Sequence, residues 1–73
     1  MSGIIPSLTS KELERILVRI GFSFYRQSGS HKIYIKNDFQ VIVPHHNKDL
    51  KKGTLMQIIK GTGLSVEEFK KYI

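Results

Sequence analysis

Between Gly21 and Pro44 the chain is rich in β-branched and aromatic residues, and it is interrupted only at two turn-forming pairs, Ser28-Gly29 and Asn37-Asp38. Connections this short force consecutive segments to pair as antiparallel neighbours, so the stretch is constrained to a three-stranded meander. Strands are predicted over about 22–27, 30–36 and 39–43. Alternation places Phe22, Phe24, Ile33, Ile35, Phe39, Val41 and Val43 on one face, the face expected to lie under helices. Tyr25, Lys32, Tyr34, Lys36, Gln40 and Ile42 are then expected on the open face. A slip of one residue would exchange the two faces.

The helices flank this sheet. Thr9 with Glu12, Thr54 with Gln57 and Ser65 with Glu68 each have the capping-box spacing, in which a hydroxyl accepts from the third helical amide and the Glu or Gln reaches back to the cap. Leu8 with Leu13 and Leu64 with Phe69 add hydrophobic staples to the first and third boxes. The first helix carries Leu13, Ile16, Leu17 and Ile20 as one apolar stripe and stops at Gly21. A second is predicted from about Leu55 to Lys60, ended by Gly61 and Gly63, and a short third from Val66 to about Tyr72. The expected fold class is therefore α+β: a three-stranded antiparallel meander with helices on one face, in the order α-β-β-β-α plus a short C-terminal helix. With 73 residues the chain makes one domain, 1–73, able to bury only about 60% of its unfolded surface, so any active site is expected to be shallow.

Composition narrows the function. There is no cysteine, which excludes disulfides, zinc-thiolate sites and thiol catalysis together. No apolar run approaches the ~20 residues of a membrane span, and Met1 to Pro6 has no signal-like pattern, so a soluble, cytoplasmic protein is expected. Twelve Lys and Arg against six Asp and Glu give a net charge of +6, which favours a polyanionic partner, either nucleic acid or an acidic protein surface. The excess sits in residues 26–60, where Arg26, Lys32, Lys36, Lys48, Lys51, Lys52 and Lys60 face only Asp38 and Asp49. Lys51 and Lys52, followed by the amides of Gly53 and Thr54 at a helix start, form a natural phosphate cradle. Lysines at the start of the second helix and the α-β-β-β-α order together resemble the layout of double-stranded RNA-binding domains.

Only His31, His45 and His46 can exchange protons near neutral pH. His31 follows the Ser28-Gly29-Ser30 turn, at the rim of the sheet. His alternates with Ile33 and Ile35, so a hydrogen-bonded histidine at the edge of the core is the competing structural role. The spacing of His45, His46 and Asp49 matches no structural zinc pattern, and no metal or other cofactor is expected.

The succession Arg26-Gln27-Ser28-Gly29-Ser30-His31, Val43-Pro44-His45-His46, Lys51-Lys52-Gly53-Thr54-Leu55 and Ile58-Ile59, preceded by Leu17 to Phe22, resembles the HicA family of bacterial toxins over nearly the whole chain. The resemblance implies a double-stranded RNA-binding-like fold, cleavage of messenger RNA that halts translation, and neutralisation by a cognate acidic HicB-type antitoxin. It places the catalytic histidine on His31, with the Val-Pro-x-His pattern on Val43, Pro44 and His46.

The expected activity is thus that of a metal-independent endoribonuclease with His31 catalytic and Ser30, Lys32 and His46 as accessory groups. Arg26, Lys32, Lys36, Lys51, Lys52, Gly53 and Thr54 are expected to hold RNA, and Tyr25, Tyr34 and Ile42 to meet the antitoxin. A non-catalytic RNA-binding module and a protein-interaction domain are the alternatives; RNA binding without cleavage would identify the first, and binding that survives high salt the second.

Overall fold

The first helix begins where Thr9 and Glu12 cap one another. The Thr9 Oγ1 accepts from the Glu12 amide at 3.2 Å, and the Glu12 carboxylate accepts from the Thr9 amide at 2.9 Å. These bonds hold the Glu12 carboxyl below its ordinary value of 4.5, so the stability it adds is present above that pH and is lost on acidification. The computed structural model describes residues 5–45 and 48–73. Its elements are α1 (Ser10–Ile20), β1 (Ser23–Ser28), β2 (His31–Lys36), β3 (Phe39–Pro44), α2 (Lys52–Gly61) and α3 (Val66–Lys70). The strands form one antiparallel sheet in the order β1-β2-β3. The helices pack on one of its faces, chiefly over β3, which is the α+β arrangement of a double-stranded RNA-binding-like fold. No helix among the described residues is long and apolar enough to cross a membrane.

Two of the three capping boxes form, at Thr9 and at Ser65. The third does not. α2 starts at Lys52, with Lys51 as an extended N-cap that makes no side-chain capping bond. Thr54 is therefore already inside the first turn, and the Gln57 amide it was expected to satisfy belongs to the backbone ladder, whose i−4 partner is Gly53. The first amides of α2 are left without a side-chain cap.

The α1 stripe is buried as the periodicity requires, Leu13 and Leu17 completely, and it meets Phe22, Val41, Val43, Leu55, Ile59 and Phe69 in one core. The faces of β1 and β3 follow the expectation at Phe24, Val41 and Val43, but β2 is inverted. Lys36 pairs with Phe39, Tyr34 with Val41 and Lys32 with Val43, so Lys32, Tyr34 and Lys36 look toward the helices. Ile33 and Ile35 lie half-buried on the open face, where Ile33 pairs with Ile42.

The inversion is accommodated by specific bonds. The Tyr34 hydroxyl donates to the Glu14 carboxylate of α1 at 2.8 Å, and the Lys32 ammonium reaches the same oxygen at 3.2 Å. The Lys36 ammonium donates to the Ile20 carbonyl at 2.9 Å, placing a cation on the negative end of α1. Burial, and then the bond to Glu14, push the Tyr34 hydroxyl from 10.0 up to about 12. A raised folded-state value means that the unfolded chain loses this proton first. The contribution of Tyr34 is therefore whole below pH 10.0 and disappears as pH rises toward about 12. Urea midpoints measured across that interval are expected to fall more steeply for the natural chain than for Tyr34→Phe; equal slopes would show that the buried phenol does not couple to folding.

Candidate functional site

One end of the sheet gathers the chemistry. His31 opens β2, and its cross-strand neighbours are Ser28 on β1 and Pro44, the last residue of β3. The turn before it depends on Gly29, whose φ of +59° is the left-handed conformation that glycine adopts without strain. The His45 amide donates to the Ser30 carbonyl at 2.6 Å, tying the chain after β3 to that turn. The Ser10 hydroxyl donates to the Pro44 carbonyl at 2.5 Å, bringing the start of α1 to the same place. A single bridge between Thr9 and Asp49, and the Leu50 amide donating to the Leu8 carbonyl at 2.8 Å, deliver the chain to Lys51 and the start of α2. Two helix N-termini, a glycine turn and His31 therefore share one rim.

His31 is exposed, on the sheet face away from the helices. The role of a histidine at the core's edge is thereby corrected, for the alternation mates Ile33 and Ile35 are not in the core either. An exposed imidazole at the mouth of a turn is accessible to a polymer in both protonation states. Lys51 and Lys52 are exposed on either side of the α2 start, so two ammonium groups flank amides that no side chain caps. Gly53 faces open space, and Thr54 is half-buried. Ser30 is exposed, and Arg26 stands exposed on the open face opposite Ile33, along the strand from His31.

Other expected site residues are placed elsewhere. Lys32 and Lys36 are on the covered face, each bound by a specific oxygen, because the β2 register turns them inward. Tyr34 is only 5% exposed, so it has no open ring with which to anchor a partner on the open face; that expectation followed from the inverted alternation and is corrected here. Tyr25 and Ile42 are exposed, at 59% and 47%. Tyr25 sits at a bulge where the β1–β2 register shifts between Phe24 and Arg26. His46 lies outside the described residues. Two residues were not anticipated from the sequence: Ser10, which looks like an ordinary first helical residue, and Glu14, the partner of Lys32 and Tyr34. Glu14 was legible as the acidic residue flanking the apolar stripe of α1; Ser10 carried no signal.

A family model described as HicA toxin of bacterial toxin-antitoxin matches residues 10–64. That span runs from the first residue of α1 past the end of α2 and contains the whole rim just described except Leu8 and Thr9. No curated protein matches the chain.

Proposed function

Because the chain belongs to the HicA family of bacterial toxins, we propose that it is a metal-independent endoribonuclease that cleaves messenger RNA at His31 and is neutralised by a HicB-type antitoxin. The observation that carries this reading is the position of His31: exposed, held by a turn, and on the same rim as the uncapped start of α2. In the proposed step the RNA 2′-oxygen loses its proton and attacks the adjacent phosphorus, while the bond from phosphorus to the 5′-oxygen breaks and that oxygen gains a proton. The His31 imidazole, which can both accept and donate a proton, serves as the base that takes the first proton or the acid that gives the second. Lys51, Lys52 and the first α2 amides hold phosphate. One positioned acid or base contributes about 10²- to 10⁴-fold, so turnover is expected to be slow, which suffices when the target is the messenger pool.

The test is cleavage of an RNA by the purified chain in the presence of a strong chelator, beside the same sequence with 2′-deoxyribose. RNA is expected to be cut and the deoxy strand to survive. Tight RNA binding with no cut product would leave a non-catalytic RNA-binding module.

A further prediction concerns affinity. Lys51→Gln with Lys52→Gln is expected to weaken binding of all RNA sequences alike and to lower the salt slope by about 1.4, two single-strand phosphate contacts' worth. An unchanged slope would remove the α2 start from the RNA path.

A further inference from the structure

A recess separate from the His31 rim lies between α1 and Tyr34 of β2. Its lining includes Lys11, Glu14, Arg15, Val18, Arg19 and Tyr34. Val18, 59% exposed, gives it an apolar patch open to solvent, and beside it the Phe24 ring of β1, 53% exposed, meets Tyr34 edge-on with centroids 5.7 Å apart. Lys11, Arg15 and Arg19 recur every fourth residue along α1 and form a cationic wall. The one carboxylate in the lining, Glu14, is engaged by Tyr34 and Lys32. Past Phe24 the sheet ends at β1, an edge strand whose six residues are all exposed, because the helices pack chiefly over β3.

A free strand edge, an apolar patch and a basic helix make the geometry that binds an extended peptide by strand addition. Main-chain bonds to the edge supply affinity, and pockets for alternate side chains supply specificity. A second copy of this chain is disfavoured as occupant, since each copy carries a net charge of +6. Phosphate backbone would be drawn to the wall but has no use for Val18 and Phe24.

We infer that this groove receives an extended acidic segment of the antitoxin, paired with β1, with aliphatic side chains on Val18 and Phe24 and carboxylates on Lys11 and Arg15. The inference rests on the reading that an antitoxin neutralises this chain, and it is independent of whether His31 cleaves RNA. The groove ends at Lys11, next to Ser10 and its bond to Pro44, so a segment continuing past α1 arrives at the His31 rim.

The probe is the product of the open reading frame adjacent to this chain's gene, and both readouts are taken without RNA. Hydrogen exchange of the β1 amides, residues 23–28, is expected to slow in the complex relative to the free chain. Arg15→Glu with Val18→Glu, both surface changes, is expected to weaken binding by about 10-fold or more, with the melting temperature of the free chain preserved. Val18→Ala alone, which leaves the charges of the wall intact, is expected to give a smaller loss in the same direction. Unchanged exchange in β1, or a double variant that stays folded and binds like the natural chain, would overturn the inference. So would duplex RNA protecting β1 where the antitoxin does not. A chain that fails to cut RNA yet shows the β1 protection would sink the nuclease reading and leave this one standing.

Discussion

His31→Ala is expected to reduce RNA cleavage by about 10²- to 10⁴-fold and to relieve growth arrest, while leaving the melting temperature within a degree or two of the natural chain. The rate loss follows from removing the only described imidazole on strand β2, at the rim that holds the uncapped start of α2. The unchanged stability follows from its exposure on the uncovered sheet face: the truncation opens no cavity and strands no buried partner. The combination discriminates. A variant that melts early would make His31 a structural residue, and a variant that is folded and fully active would move the chemistry elsewhere. His31→Gln, which keeps polarity and size but cannot carry a proton near neutral pH, is expected to behave as the alanine variant does.

The largest expected stability effect lies far from that rim. Phe69, on the short α3, is completely buried, and replacing it with alanine is expected to cost about 3–5 kcal/mol. A chain of 73 residues has roughly 4–11 kcal/mol to lose. The variant should therefore melt more than about 10 °C lower, with a substantial unfolded fraction at growth temperature. Calorimetry or far-UV thermal scans would measure this, and a shift of only a few degrees would show that the neighbouring side chains collapse into the space. Phe69 lies beyond residues 10–64, the span shared with the family, so the core is completed by a segment outside that match.

Much of this architecture was legible in the chain. The Leu13-Ile16-Leu17-Ile20 stripe, the caps at Thr9 and Ser65 and the two turns lead to α1, α3 and the meander without ambiguity. The β2 face was misjudged because hydrophobicity was allowed to decide it: Ile33 and Ile35 look like core, and Lys32 and Lys36 look like surface. The turn geometry overrules that preference. Asn37, at a φ of +53°, and Asp38 make a two-residue connection, so Lys36 and Phe39 stand opposite one another and share a face. Once Phe39, Val41 and Val43 face the helices, Lys32, Tyr34 and Lys36 must do so as well. What the pattern could not supply is the set of oxygens that makes this tolerable, Glu14 and the Ile20 carbonyl, since both come from tertiary packing. The start of α2 was misplaced for a related reason: Thr54 has the spacing of a cap, but spacing does not reveal that the helix is already under way at Lys52.

The joints that build the His31 rim also bear on the order of folding. The hairpins connect residues close in sequence and can zip early, whereas Ser10 meets Pro44 across 34 positions, and Leu8 meets Leu50 across a still longer loop. Those closures wait until the chain has been made past the start of α2. A nascent or truncated product ending before Lys51 is therefore expected to hold a sheet but no phosphate cradle, and to be harmless to the ribosome still making it. Expression of residues 1–50 without growth arrest, beside arrest by the full chain, would bear this out; toxicity from the fragment would show that the sheet and His31 act without the second helix.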